Sequence, residues 1–482
     1  MNRMKIKVIF WLVLLAVTLV LRLPNLGYAD YIGDEHKAFI LLSEGESLKD
    51  FFLSQRKGPL QFVVSYIPYV LTGDYKNELA QRLPFTLFGI ASVFVFYELV
   101  KRLTKNVSVA FAAAFLFSVS GFVVGFARIA QYQNLNLFFS FASLYFYLGI
   151  LGDDKHKLRN SLFGTLMFCL SLFAHWDAVF VLPPITVIFA KYLLDKRFPA
   201  REKIKLLALN FVLGCLVLLP FLLPYISYQL NHVANMEYFS RRVQVGDYAA
   251  QRYKGLIDLY NPFVTFWFYV VCGLFGALFI KRSWVCVLWF LLNLGVFESA
   301  IRKPGTHVYN FIIPLLIVCA IGIVGSLEKL PRALKVVGAL VLSVLFLFFV
   351  YQSFVIFADH KVEYPWEREK MFGRLTPVYS MSDKLPLFGF PHKRFWKNIN
   401  SYITSQNNRY GYMTNEDKTV SEFYMDTKYA PERGYYIVGI NRPQSFVEDW
   451  RMEQYGGELV HTITRQTKYG PEAVVKIYRV DK

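Results

Sequence analysis

Cysteine is scarce here and never paired in sequence. The five present, Cys169, Cys215, Cys272, Cys286 and Cys319, all sit inside hydrophobic runs and none belongs to a CxxC pair. Neither a disulfide framework nor a cysteine zinc site is therefore expected. Charge is also scarce: 18% of residues are charged against 55% hydrophobic and 18% aromatic, a balance too apolar for an ordinary soluble domain. No GxxxxGK[ST] and no GxGxxG run occurs, which argues against a glycine-rich nucleotide-binding loop. Neither an internal repeat nor a low-complexity segment is visible, so solenoids and repeat-built transporters lack their usual signature.

What remains is the pattern of a polytopic α-helical membrane protein. The net charge is +18, but the tail Asp359–Lys482 holds 19 Lys+Arg against 16 Asp+Glu. Most of the excess thus belongs to the membrane part, and no nucleic-acid partner is expected. A bilayer core asks for about 20 apolar residues per helix. Roughly eleven runs qualify: near 8–27, 82–100, 106–125, 132–151, 160–177, 179–194, 205–228, 263–280, 284–300, 308–327 and 334–357. The first is not read as a cleaved leader, because "RLPNLGYAD" lacks a small-x-small cleavage site.

Alternate loops sort by charge. "MNRMKIK", "KRLTK", "GDDKHKLRN", "KYLLDKRFPAREKIK", "KR" and "EKLPRALK" are basic and are assigned to the cytoplasm. The loop at about 30–81, the loop "SYQLNHVANMEYFSRRVQVGDYAAQRYKGLIDLYNP" and the C-terminal tail then face outward. Within the first of these, "EHKAFILLSEGESLKDFFLSQ" and "GPLQFVVSYIPYVLTG" read as helices in or near the outer interface. The expected division is a transmembrane part, 1–357, and a small extracytoplasmic α/β domain, 358–482. Strand character falls on "RYGYMTN", "GYYIVGI", "ELVHTITRQ" and "AVVKIYRV", and helical character on "VSEFYMD" and "SFVEDWRMEQ".

Ionisable groups at membrane depth are costly, which makes those at the outer helix ends the functional candidates. One cluster holds Asp30, Asp34, Glu35 and His36; another Arg56, Lys57 and Pro59; Arg82 stands alone. "ARIAQYQNLN" carries Arg128, Gln131, Tyr132 and Gln133, "AHWDA" carries His175, Trp176 and Asp177, and "IRKPGTHVYN" carries Arg302, Lys303, His307 and Tyr309. All face one side in the assigned orientation. Carboxylates take a proton from a hydroxyl nucleophile, whereas Arg, Lys and His hold a phosphate as it leaves. Two competing readings are plain: Arg22 and Arg82 as snorkelling anchors, and Asp153 and Asp154 as a solvated loop rather than a metal-binding DxD.

The order of these segments resembles the PMT-like GT-C glycosyltransferases, family 39, of the protein O-mannosyltransferase and aminoarabinose-transferase superfamily. "GDEHKAF", "RKGPLQF" and "AQRLPFTLFGIASVFVFYELVKRL" follow in the family's order, and "KPGTHVYNFIIPLL" resembles its late span. The resemblance implies a GT-C fold, Asp34 as the base that activates the acceptor hydroxyl, Glu35 as its acidic neighbour and Lys57 near the donor phosphate. Arg128 matches the arginine before the fourth span; Arg302 and His307 are further candidates for the phosphate. His36, Arg82, Tyr132, Gln133, His175, Asp177, Lys303 and Tyr309 complete the expected cavity. Gln133 departs from the pattern, since many relatives carry an acid there, and His36 directly follows Glu35 where the family spaces its histidine differently.

The expectation is an inverting sugar transfer from a polyprenyl-phosphate donor to a lipid, glycan or protein acceptor. It needs no cofactor, a divalent metal has no support in the motif set, and the setting is a prokaryotic plasma membrane with the N-terminus inside. The competing expectations are oligosaccharyl transfer from a lipid diphosphate, a lipid-linked-sugar flippase, and a polytopic anchor whose outer domain binds a partner.

Overall fold

The chain is described from a computed structural model covering residues 3–152, 156–232, 251–301, 305–361, 363–364, 370–371, 374–375, 388–406, 411–430, 435–443, 456–467 and 470–480. Its helices run α1 (Arg3–Arg22), α2 (Leu48–Ser54), α3 (Pro59–Thr72), α4 (Glu78–Thr104), α5 (Val107–Val119), α6 (Gly121–Phe126), α7 (Gln133–Leu148), α8 (Lys157–Ala174), α9 (Leu182–Leu194) and α10 (Ala200–Leu230). They continue as α11 (Gln251–Tyr260), α12 (Thr265–Leu278), α13 (Ile280–Ala300), α14 (Tyr309–Lys329), α15 (Arg332–Ser353), α16 (Trp396–Ser405) and α17 (Lys418–Tyr424).

Every apolar run lies on a helix. Among the described residues, 7 helical segments are long and apolar enough to cross a membrane; they contain α4, α7, α9, α10, α13, α14 and α15. The other runs fall on α1, α5, α8 and α12. The result is a polytopic helical membrane protein with a small sheet. Within it α14 is enclosed, 78% of its most apolar window being buried, whereas the same window of α15 is 6% buried and turns its leucines and valines outward. An apolar exterior of this kind is stable only against lipid.

Two runs differ from expectation for local reasons. The first helix stops at Arg22 rather than near 27, because Pro24 cannot donate into a continuing helix. Its last carbonyls go to Arg128, whose Nη1 donates to Leu21 O (3.3 Å) and Arg22 O (3.1 Å) and whose Nη2 donates to Pro24 O (2.8 Å). The run at 106–125 is broken at Ser120 into α5 and α6. There the backbone of Gly121 passes so close to the chain that a Cβ would stand 1.8 Å from Tyr260 O, and its N–H, freed from the helix ladder, donates to Asn261 Oδ1 at 2.7 Å.

Buried polar groups join the helices elsewhere. Asn210 of α10 donates to Ser161 Oγ of α8 (2.5 Å) and accepts from Thr165 Oγ1 (2.5 Å), an interhelical bond of the kind that holds helices together in lipid. In the outer loop, α3 opens with Pro59 at its first turn after Gly58 and ends at Gly73 in the left-handed region (φ 67°), so this apolar segment is short by design of its ends. The other expected loop helix is realised only as the turn Glu35–Ala38 and α2.

After a two-stranded ladder of β1 (Lys370–Met371) and β2 (Arg374–Leu375), the tail forms a four-stranded sheet from β3 (Gly411–Thr414), β4 (Tyr435–Ile440), β5 (Glu458–Thr467) and β6 (Gly470–Val480), in the order β3-β4-β6-β5. β3 and β4 are parallel, with Gly411 opposite Tyr435, and β6 is antiparallel to both β4 and β5. All four strand expectations fall on these strands and "VSEFYMD" falls on α17. The helical expectation at "SFVEDWRMEQ" lies outside the described residues, and α16 was not anticipated. The sheet does not pack alone: Trp396, Ile399, Tyr412, Tyr424 and Val438 share one buried cluster with Tyr31, Phe39, Val64 and Phe85 of the outer loop and α4.

Small residues set the approach of α12 to α14. A Cβ on Gly276 would meet Val318 O at 2.1 Å, and one on Gly322 would meet Cys272 O at 2.4 Å. Gly276→Val should therefore destabilise the protein by about 1–3 kcal/mol, read as a lower melting midpoint in detergent. An unchanged midpoint would show that this contact is loose.

Candidate active site

The outer ends of the helices converge on one arginine. Arg82 sits one turn into α4 and is 2% exposed. Its Nε donates to Glu35 Oε1 (2.6 Å) and Nη2 to Glu35 Oε2 (2.9 Å) and Asp30 O (3.0 Å). Nη1 donates to Leu26 O (3.0 Å) and Ala29 O (2.9 Å). All of the guanidinium's donors are engaged. Glu35, fully buried, also accepts from the N–H of Ala130 (2.9 Å) and of Ile32 (3.2 Å). The expected pair of active carboxylates is thus split by geometry: Glu35 has no oxygen left for a substrate, and Arg82 neither snorkels nor faces a phosphate.

Asp34 is left on the open side. It precedes the turn Glu35–Ala38, its side chain is 50% exposed, and Oδ1 accepts from Lys37 Nζ at 2.7 Å. Partial burial would raise its pKa, but the combined positive charge of Lys57 and Lys37 holds it below the usual carboxylate value. Asp30 has gone the other way: it is buried, its Oδ2 accepts from Arg394 N (2.6 Å), and desolvation raises its pKa. His36 is buried among Lys37 and Lys57, and its pKa falls to about 4 by desolvation first and these charges second. At neutral pH Asp34 is the ionised, accessible acid of the cluster.

Lys57 follows from the packing of its neighbour. A Cβ on Gly58 would stand 2.0 Å from Phe173 O, and Gly58 N–H donates to Ala174 O at 3.3 Å, which presses this turn onto the end of α8. From the other side, α10 ties down the preceding segment, Tyr225 Oη donating to Gln55 O (3.0 Å) and Gln229 Nε2 to Leu53 O (2.7 Å). Lys57 Nζ is buried and has no hydrogen-bond partner among the described residues. Burial, opposed by Asp34, lowers its pKa to about 8. The residue lines an apolar groove with Leu172, Phe173, Leu218, Phe221 and Tyr225, between α8 and α10.

Behind Lys57 stands a second polar group. Its Nζ lies 5.8 Å from the centre of the Tyr132 ring, which stacks on His175 at 3.8 Å. His175, in turn, is 5.4 Å ring to ring from His307. Asp177 joins them, with Oδ2 accepting from Tyr309 Oη (2.6 Å), His307 Nδ1 (2.8 Å) and Asn310 Nδ2 (3.2 Å). Asn310 was not singled out in the sequence; its place one residue after Tyr309 on an inward helix end was the available signal.

The remaining expected residues scatter. Arg128 caps α1 rather than reaching the groove. Gln133 Nε2 donates to Gln131 Oε1 at 3.1 Å, so a pair of neutral amides occupies the position where relatives carry an acid. Arg302 and Lys303 lie outside the described residues, as do Asp153 and Asp154. Sequence reading also missed Tyr424, whose hydroxyl accepts from Tyr31 N–H (2.9 Å) and donates to Glu78 Oε1 (2.9 Å), bracing the loop from the tail side.

Comparison with known proteins bears on the fold. Residues 57–228 match the family model described as dolichyl-phosphate-mannose-protein mannosyltransferase. An uncharacterized protein of Aquifex aeolicus is 27% identical over 316 residues, and the match spans 60% of that relative's length. ArnT from Cupriavidus metallidurans, in a crystal structure bound to undecaprenyl phosphate, superposes with a TM-score of 0.56 at 12% identity, covering 99% of this chain and 98% of that one. The apo oligosaccharyltransferase of Archaeoglobus fulgidus gives a TM-score of 0.50 at 13% identity over 99% of this chain and 74% of its own. At these identities the likeness is one of fold, and the fold follows that of ArnT over essentially the whole chain.

Truncating one partner of a buried ion pair leaves the other uncompensated, at a cost of about 3–5 kcal/mol. Arg82→Ala should accordingly lower the melting midpoint far more than Lys37→Ala, which removes only a half-exposed pair. Equal, small shifts would show that the Glu35 contact does not organise the loop.

Proposed function

We propose that this chain, a PMT-like protein of the GT-C fold, is a membrane glycosyltransferase that moves a sugar from a polyprenyl-phosphate donor to an acceptor hydroxyl, with inversion at the anomeric carbon. The observation that carries the reading is Lys57, a buried ammonium without a hydrogen-bond partner on the wall of an apolar groove, within whose electrostatic reach stands the accessible carboxylate of Asp34. Supporting it, the similarly folded ArnT binds undecaprenyl phosphate. The isoprenoid chain lies along Phe173 and Phe221 in this reading, and its phosphate meets Lys57.

The chemistry follows from the two groups. Asp34 takes the proton of the acceptor hydroxyl as its oxygen bonds to the anomeric carbon, and the bond from that carbon to the phosphate oxygen breaks with its electron pair staying on the phosphate. Lys57 offsets the charge that collects there. Glu35 and Arg82 act as positioning residues that hold Asp34 in place. The acceptor is a lipid, glycan or protein hydroxyl on the extracytoplasmic side. The setting is a prokaryotic plasma membrane with the N-terminus in the cytoplasm. The neutral Gln131–Gln133 pair disfavours the oligosaccharyl alternative, whose lipid-diphosphate donor calls for several acids.

Proton affinities set the pH profile. Asp34, held below its ordinary pKa, is ionised throughout the neutral range, so acid pH does not limit the base until well below neutrality. Lys57 is charged below its pKa of about 8 and loses its proton above it. In the free enzyme kcat/KM should therefore fall above about pH 8, and Lys57→Arg should move that fall upward because guanidinium stays charged. Asp34→Asn should lose roughly 100-fold or more of kcat while the protein stays folded. Wild-type-like release of polyprenyl phosphate by Asp34→Asn would sink the assignment.

A further inference from the structure

His175 and Asp177 flank Trp176 where α8 gives way to the turn Trp176–Val181, and His307 arrives on the turn before α14, 130 residues beyond Asp177. One ligand-type atom from each lies within 4.8 Å of the other two. The three side chains are largely enclosed, 13%, 6% and 23% exposed. They stand apart from Asp34 and Lys57, the groups assigned to the transfer.

The hydrogen-bond geometry treats the two carboxylate oxygens differently. Asp177 Oδ2 is filled by Tyr309, His307 and Asn310. Oδ1 instead faces His175 Nδ1 at 3.0 Å, and the same nitrogen lies 3.1 Å from the Asp177 N–H. Nδ1 bearing a proton donates to Oδ1; without the proton its lone pair is available to ligate a cation that Oδ1 shares.

We propose that His175, Asp177 and His307 bind a divalent transition-metal ion of the zinc class. Two imidazoles and one carboxylate are a donor set that such borderline cations favour over calcium or magnesium, and three protein ligands leave a fourth position open. Tyr309 and Asn310, bonded to the other carboxylate oxygen, fix its orientation as outer-shell partners do in metal sites. Tyr132, stacked on His175, separates the cluster from Lys57. The binding of metal does not rest on the glycosyltransfer reading.

The test uses the full-length protein in detergent, stripped of metal and titrated with Co2+ and Zn2+, with content read by plasma mass spectrometry and the Co2+ site by its visible absorption. One ion per chain is expected, with binding weakened at least about tenfold in Tyr309→Phe and stoichiometric uptake lost in His307→Ala, whose side chain is the most exposed of the three. Asp34→Asn should bind metal as the wild type does, so failure of the transfer reading and failure of the metal site are told apart. No uptake by the wild type, or equal uptake by folded His307→Ala, would overturn the proposal.

Discussion

The guanidinium of Arg82 is the constraint on which the outer face depends. It gathers the carbonyls of Leu26, Ala29 and Asp30 together with both oxygens of Glu35, and so fixes the path of the chain from the end of α1 to the turn that bears Asp34. Glu35 carries the constraint onward to Ala130, and hence to the loop of Tyr132 and Gln133. The pair sits in a dry setting where an unpaired charge is expensive, so the loop has one satisfactory arrangement. With Glu35 turned inward, its neighbour Asp34 necessarily points away.

The tail tightens the same element from outside. Asp30 exchanges bonds with the segment before α16, its N–H donating to His392 O (3.1 Å) and its Oδ2 accepting from Arg394 N. Glu78, at the start of α4, accepts from Tyr424 and forms an ion pair with Lys397 at 2.5 Å. Arg394 is itself held by Glu363 in a buried pair, with Arg465 3.1 Å from the same carboxylate. Tail and outer loop therefore share a polar seam above one apolar cluster, which explains why a stretch so polar in sequence folds onto the membrane part.

Much of this was legible beforehand. Helix positions follow from hydropathy and the strands from alternation, and Asp34 and Lys57 stand out as candidates by their order along the chain. What could not be read is which polar residues face each other. Arg82 and Glu35 are 47 residues apart, and Asp177 and His307 are 130 apart; nothing local distinguishes an arginine that braces a loop from one that holds a phosphate. Arg128 illustrates the point, since its three carbonyl partners exist only because Pro24 ends α1 early. The break at Ser120 was hidden likewise, because the partners of Gly121 there, Tyr260 and Asn261, lie about 140 residues further along the chain.

Lipid-phosphate binding by Lys57 in the groove between α8 and α10 is the step on which sugar transfer depends. Native mass spectrometry of the purified protein incubated with a polyprenyl phosphate measures this without turnover. A one-to-one complex is expected in the wild type and in Asp34→Asn, with its loss in Lys57→Met. Retention of the lipid by Lys57→Met at wild-type levels would contradict that role of Lys57.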